Sequence, residues 1–512
     1  MENRPQWGTR AGFIMAAVGS AIGLGNIWRF PAVAYDNGGG AFFLPYLFAL
    51  LTAGIPLLIL EFTLGHKYRG SAPLSYARLS KKFEWLGWWQ VAIAFVISTY
   101  YAVIIAWAMS YSVFSLKLSW GDDTVGFLVE DYLQLAAPGE FGSLVPSVLI
   151  PLILVWVITL GVLFKGIKKG IEVANKIFIP TLVVLFLIIV VRALMLDGAV
   201  EGLNAFFKPN WDVLTSGKVW VAAYGQIFFS LSIAFAIMVT YSSYLPKKSD
   251  ITNNAFITGF SNSGFELLAG IGVFSILGFM AMQQGVGVDE VVKGGVGLAF
   301  MVFPQVINEF PAFNQFFGFL FFTSLVLAGL TSLISIVETF VAGVQDKFNI
   351  SRTKAVLFGG GLSAVLSLFF ATQGGLNLLD VADYFINQFG VALAGLVQVI
   401  VVVWIVRQLK PLQDHANMVS DIKLTGFLGS WWKISLAFIT PLVLGYMMFD
   451  LIRTNIAEVY GAEDSGYSRL FTIQYGWIVA LGAILIGIVF SLLKWKKAEV
   501  VLPSSSSKEV NK

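Results

Sequence analysis

Long apolar runs separated by short polar connections dominate the chain, and no stretch shows the ten-residue alternation of a transmembrane strand. A helix crossing the hydrocarbon layer needs about 20 mostly apolar residues. That length predicts twelve helical spans, near 11–35, 41–64, 88–116, 144–164, 172–195, 218–244, 255–283, 314–345, 353–371, 378–406, 425–452 and 470–494. The pattern falters in two of them. Span 1, AGFIMAAVGSAIGLGNIWRFP, sets Gly19, Gly23 and Gly25 mid-membrane with Ser20 and Asn26, and Arg29 follows three residues on. Glycine weakens a helix, and backbone can leave a helix at this depth only where protein or a water-filled cavity satisfies it. Glycines alone would favour close helix packing; Asn26 and Arg29 shift the balance toward a site. Span 6, VWVAAYGQIFFSLSIAFAIMVTYSSYL, carries Gln226, Ser230 and Ser232 among aromatics. Its serines would ordinarily bond back to their own helix, so this span is ambiguous by itself.

Composition agrees with a membrane chain. Of 512 residues 57% are apolar and 12% charged, against about 25% charged in soluble proteins. The net charge of +3 gives no sign of nucleic-acid binding. Basic residues fill alternate loops: Lys67, Arg69, Arg78, Lys81 and Lys82 after span 2, Lys165, Lys168 and Lys169 after span 4, Lys247 and Lys248 after span 6. The other loops are acidic, with Asp122, Asp123, Glu130 and Asp131 after span 3 and Glu458, Glu463 and Asp464 after span 11. This bias predicts a plasma-membrane protein with both termini cytoplasmic. Cysteine is absent, and the two histidines, His66 and His415, fall in polar connecting segments. Thiolate metal sites and Ser-His-Asp chemistry are therefore excluded as expectations, and no enzyme is predicted. The tail over 498–512 is expected to be disordered.

Spans 1 and 6 each open a block of five. Interrupted helices at matching places in two halves point to a secondary transporter built from inverted repeats, although no residue-level repeat is visible. Span 7 carries Asn262 and Glu266, four apart and so on one helix face. A carboxylate at that depth is expensive and marks function by default. Thr331 and Ser332 lie in span 8 with Glu338 further on, and Asp380 and Asp383 begin span 10. Freed carbonyls, amide oxygens, hydroxyls and one carboxylate are hard, nearly neutral ligands. Calcium and magnesium usually demand several carboxylates and transition metals imidazole or thiolate, so an alkali cation, sodium, fits best. The end of a half-helix also suits a substrate carboxylate.

The run WGTRAGFIMAAVGSAIGLGNIWRFPAVAYDNGGGAFFLPY resembles the first two helices of the neurotransmitter:sodium symporters. GQIFFSLS, KGIKKGIEVANK, TSLISIVETFVAGVQDKF and LDVADYF fit the same family in order. The likeness extends over nearly the whole chain and is similar to the family's bacterial leucine transporter, itself the reference case for midplane binding by broken helices. It implies an all-α membrane fold of twelve transmembrane helices. Two inverted five-helix repeats (11–195 and 218–406), with helices 1 and 6 discontinuous, would follow an N-terminal cytoplasmic segment (1–10) and precede two peripheral helices (425–494). It implies sodium-coupled import of a neutral, small to medium, apolar amino acid by alternating access.

By motif position the resemblance implies two sodium sites. The first would use Ala21, Asn26, Ser230 and Asn262, the second Gly19, Ile22, Ala328, Thr331 and Ser332. The substrate would meet Ser20, Ala21, Leu24, Gly25, Ile97, Tyr101, Phe229, Ser230, Ser232, Phe235, Ser332 and Ile336. Gly23 stands where amine transporters of the family have an aspartate, which favours a ligand bringing its own carboxylate. Glu266, with Tyr46 and Gln226, stands where other members bind chloride, which implies chloride independence. Arg29 and Asp383 would form the outer gate; Arg4 and Asp346, with Trp7 and Tyr244, the inner one. Ala234 and Ala236 replace glycines at the span-6 break and Leu333 replaces a serine, from which a smaller pocket is expected. A proton-coupled carrier using Glu266, a non-transporting amino acid receptor, a channel and an intramembrane hydrolase are the alternatives; the last two lack a pore repeat and a nucleophile–base pair.

Overall fold

In the computed structural model, which describes residues 4–463 and 465–497, the chain is helical throughout and its described residues form no strand beyond two isolated bridges. The spans are α1 (Arg10–Ala21) and α2 (Leu24–Asp36), a pair bent by 56°, then α3 (Gly40–Tyr68), α4 (Lys81–Phe114), α5 (Pro146–Phe164) and α6 (Ile167–Leu194). Next come α7 (Gly217–Ser230) and α8 (Ile237–Ser242), the halves of the sixth span. After them lie α9 (Thr252–Gln284), α10 (Asn314–Phe348), α11 (Arg352–Ala371) and α12 (Gly375–Ile405). A short α13 (Leu409–Val419) precedes α14 (Gly426–Ala457) and α15 (Arg469–Leu492).

Among the described residues ten helices are long and apolar enough to cross a membrane unbroken, and the bent α1–α2 pair makes an eleventh. The expected sixth span is two short helices, neither long enough alone. Where twelve spans were expected, ten unbroken rods and one bent pair stand, with two short helices in place of the sixth span. Asp464 and the tail over 498–512 lie outside the described residues.

Burial sorts the helices. The apolar windows of α4 and α10 are 89% and 83% buried, and that of α15 only 22%. Helices α4 and α10 therefore form the centre, while α15 turns Leu481, Leu485 and Ile488 outward. Outward apolar faces of this extent belong in lipid, where burial within protein is not required of them. Close approach is set by small residues. A Cβ on Gly65 of α3 would collide with the Val239 carbonyl oxygen of α8, so glycine lets the two helices touch. One expectation is corrected here. His66 lies inside the last turn of α3, 3% exposed, rather than in a connecting loop, because α3 runs on to Tyr68. We refer below to the bundle end with the basic loops as the basic end and to the other as the acidic end.

Candidate functional site

Both interruptions are held by specific hydrogen bonds. Helix α1 closes with Ile22 N–H donating to the Val18 carbonyl at 2.7 Å. Ile22 and Gly23 then run extended before α2 begins. Gly23 N–H donates to Asn26 Oδ1 at 2.8 Å, so Asn26 satisfies the break in its own span. The second break, Leu231–Ala236, bends despite its alanines: Ser232, Ala234 and Ala236 have φ of 53°, 64° and 63°. A left-handed residue with a Cβ costs about 1–2 kcal/mol, so the surroundings must impose the shape. Ala234 N–H donates to Glu61 Oε1 at 2.9 Å, and Ser232 Oγ donates to the Ser20 carbonyl at 2.8 Å. That last bond ties one break directly to the other.

A cavity of about 290 Å³ lies against both breaks. All twelve residues expected to meet substrate line it: Ser20, Ala21, Leu24, Gly25, Ile97, Tyr101, Phe229, Ser230, Ser232, Phe235, Ser332 and Ile336. Its charged lining residues are Arg29, Asp380 and Asp383. The lining continues to Gly295, Tyr384 and Tyr460, the last in the loop after α14, so the cavity reaches toward the acidic end. Leu24 N–H donates to the Tyr101 hydroxyl at 3.3 Å, joining the start of α2 to α4. Ala234, Ala236 and Leu333, from which a smaller pocket is expected, do not themselves face the cavity, and each is fully buried elsewhere. Ser332 and Ile336 occupy the cavity face of α10; Leu333, one residue on from Ser332, is turned about 100° away from it.

The expected ion ligands gather in two places. Asn26 Nδ2 donates to Asn262 Oδ1 at 2.8 Å and Asn262 Nδ2 to Ser230 Oγ at 3.1 Å. Ala21 lies against the same cavity. Elsewhere, Thr331 Oγ1 donates to the Ala328 carbonyl at 2.9 Å, and Ser332 Oγ lies 3.4 Å from the Gly19 carbonyl. Ile22 follows in the extended break. These donors are carbonyl, amide and hydroxyl oxygens, a set that suits an alkali cation. Buried Gln226 Oε1 and Asn175 Oδ1 have no partner, and Asn175 Oδ1 points at Gly19, 2.5 Å from where a Cβ would stand. Unpaired buried oxygens of this kind are costly without a cation or water. Among the described residues no group of three or more His, Asp or Glu gathers as a metal site.

Glu266 is fully buried on α9 and accepts hydrogen bonds from the Tyr46 hydroxyl and, at 2.6 Å, from Gln226 Nε2. The two expected gates differ in state. At the basic end Arg4 Nη1 lies 3.0 Å from both Asp346 oxygens. Trp7 N–H donates to the Tyr244 carbonyl at 3.1 Å, and the Arg4 guanidinium lies 5.0 Å from the Tyr244 ring centre. At the acidic end Arg29 is out of ion-pair range of Asp383. It stacks 4.8 Å above the Phe229 ring, while Asp383 Oδ1 accepts from Tyr100 at 2.7 Å and Asn387 at 2.8 Å. The cavity is therefore closed toward the basic end.

Two buried carboxylates hold positions to which the sequence assigned no role. Glu61, fully buried, pins the second break through Ala234 and accepts from Gln398 Nε2 at 3.0 Å. Its signal was available: a lone carboxylate in the apolar run LLILEFTLG. Glu338 was noticed without a role. It accepts from the Tyr244 hydroxyl at 2.8 Å and pairs with Arg352 at 2.6 Å, extending the closed network at the basic end. Arg352 begins α11, and nothing local in the sequence joins it to Glu338.

A helical membrane bundle with two broken spans beside a midplane cavity is the architecture of a secondary transporter. The chain belongs to the sodium:neurotransmitter symporter family, whose model matches residues 4–136 and 122–498. It is 40% identical over 492 residues, 96% of this chain and 98% of the relative, to an uncharacterized sodium-dependent transporter of Methanocaldococcus jannaschii. It is 30% identical, over 94% of this chain and 83% of the relative, to the human sodium- and chloride-dependent neutral and basic amino acid transporter B(0+). Among solved structures it is similar to MhsT in complex with L-phenylalanine, with a TM-score of 0.75 and 32% identity over 87% of this chain and 99% of that one. The chain is thus a multi-pass membrane protein of a sodium-dependent transporter family, and not an enzyme.

Proposed function

We propose that the protein imports neutral, apolar amino acids by sodium symport, with the basic end cytoplasmic. The reading rests above all on one arrangement: the Asn26–Asn262–Ser230 chain beside a cavity whose walls near the breaks carry hydroxyl, amide and apolar groups and no fixed charge. A ligand there must supply its own charges, and an amino acid supplies a carboxylate. Its carboxylate would face Tyr101 and the start of α2 near Gly25. Ile97, Phe229, Phe235 and Ile336 would take the apolar side chain. The substrate would be a small to medium apolar amino acid, and the L-phenylalanine bound by MhsT makes aromatic amino acids the first larger ones to try.

One sodium ion would be held by Asn26, Asn262, Ser230 and the Ala21 carbonyl beside the substrate carboxylate. A second would be held by the carbonyls of Gly19, Ile22 and Ala328 with the hydroxyls of Thr331 and Ser332. Sodium supplies positive charge that lets a carboxylate lie in a low-dielectric cavity. Because ion and substrate share the first site, each raises the other's affinity by the same factor. Glu266, bonded to Tyr46 and Gln226, supplies a fixed negative charge near the first site and makes chloride unnecessary. Proteoliposomes test the proposal. Uptake should follow an imposed sodium gradient, persist when chloride is replaced by gluconate, and be competed by leucine, methionine and phenylalanine more than by glutamate or lysine. Uptake driven equally by a proton gradient without sodium refutes the coupling; competition by charged amino acids refutes the substrate class.

A further inference from the structure

The chain contains two histidines, and the fold brings them together. His66 Nδ1 lies 2.9 Å from His415 Nε2, joining the end of α3 to α13, the helix that connects α12 to α14. His66 Nε2 lies 2.9 Å from the Pro246 carbonyl oxygen, just past α8. A carbonyl can only accept, so His66 carries its proton on Nε2 and offers a bare Nδ1. His415 must then donate from Nε2. As it stands the bond joins two neutral rings: a second proton on His415 keeps the bond but puts a charge at a largely buried site, and one on His66 Nδ1 turns a donor toward a donor until His415 moves its own proton to Nδ1.

The place matters. Three successive carbonyls at the end of the inner half-helix are each held from outside it: Tyr244 by Trp7 N–H, Leu245 by the Arg69 guanidinium and Pro246 by His66. Tyr244 belongs to the sealed network at the basic end. Helix α13 rests on this assembly through Leu412 and Ala416, both fully buried, and through His415. Lys67 Nζ adds a bond to the Pro411 carbonyl at 3.2 Å.

We propose that the His66–His415 bridge is a proton-sensitive clasp that fastens α13 over the basic end while that end is closed, and that acidification on that side releases it.

The surrounding charges set the direction. Lys67 and Arg69 on the α3 side and Lys247 and Lys248 after Pro246 are cations. On α13, Asp414 is already paired with Lys410 at 2.6 Å. The charged groups that act on His415 are His66, Lys67 and Arg69, with no carboxylate among them. Burial, reinforced by His66, Lys67 and Arg69, holds His415 at about 3 in the docked state. Undocked, a histidine titrates near about 6.5. The docked value is the lower one, so the clasp is at full strength above about pH 6.5 and weakens as pH falls from there.

The absence of cysteine makes the test clean. Single cysteines are placed in the full-length transporter in nanodiscs at Ala416, buried under α13, and at Met418, exposed on the same helix. The ratio of their maleimide labelling rates cancels the pH dependence of thiol chemistry. We expect the ratio Ala416→Cys to Met418→Cys to rise about 3- to 10-fold between about pH 7.5 and about pH 5.5, the interval over which an undocked histidine takes up a proton that the docked one refuses. The same cysteines in a His66→Gln, His415→Gln background should give a ratio that is raised at both pH values and flat between them. Hydrogen exchange over residues 409–419 in the otherwise unaltered chain gives a second, label-free reading of the same release. A ratio independent of pH in the histidine-bearing protein, or an equal pH response without the histidines, overturns the clasp.

Discussion

Arg4→Ala should open the basic end. In the closed state Arg4 Nη1 lies 3.0 Å from both oxygens of Asp346 and Arg4 Nε lies 3.1 Å from Ser243 Oγ. The two side chains of the ion pair are 19% and 17% exposed. A hydrogen bond to a charged group contributes about 1.5–3 kcal/mol when buried, and an exposed ion pair about 0–1 kcal/mol. This pair lies between those limits, so its loss costs the closed state about 2 kcal/mol, or about 30-fold in the closed-to-open ratio. Asp346 keeps the Ser71 N–H bond at 2.8 Å, so the change falls on the gate rather than on folding. A single cysteine at Ser335 reports the opening, since Ser335 is fully buried beneath Tyr241, whose hydroxyl donates to it at 2.7 Å. With a membrane-impermeant thiol reagent on the basic side, Ser335→Cys should label about 30-fold faster once Arg4 is removed, and Arg4→Lys should fall between. Equal labelling with and without Arg4 would show that the pair does not hold the gate.

Three further outcomes are expected. Glu266→Ala strips the negative charge from Tyr46 and Gln226 and leaves room for an anion, so uptake should fall about 10- to 100-fold without chloride and recover with it; indifference to chloride in this variant removes Glu266 from that role. Asn26→Ala loses both the closure of the first break and the bond to Asn262, and the sodium midpoint for ligand binding should rise at least about tenfold; an unchanged midpoint excludes Asn26 as a ligand. Gly65→Ala forces a methyl group into the Val239 carbonyl and should destabilise the bundle by about 1–3 kcal/mol in thermal unfolding, with a normal melt refuting the close α3–α8 contact.

The membrane class, the approximate spans and the break in span 1 were legible because they are local. Hydrophobic length sets a span, and Gly23 beside Asn26 both weakens a helix and supplies the acceptor that closes its gap. The second break was less legible. Ala234 and Ala236 give no hint of left-handed backbone, and the bend is imposed by Glu61 and Ser20 from other helices. Residue volume was readable at Leu333, but the face it presents depends on the rotation of α10 against its neighbours. Glu338 with Arg352, and His66 with His415, are joined across 14 and 349 residues of chain respectively. No periodicity records such meetings.

The sequence by itself thus determined that this chain crosses a membrane many times, where its helix is weakest, and which oxygens lie near the midplane. Those are consequences of side-chain hydrophobicity and short-range hydrogen bonding. Only the tertiary structure decided that the two weak points touch, that Arg4 and Asp346 pair while Arg29 and Asp383 stand apart, and that the two histidines meet in a hydrogen bond. Each of these is a contact between distant segments, and its geometry is fixed by how packed helices rotate and slide against one another.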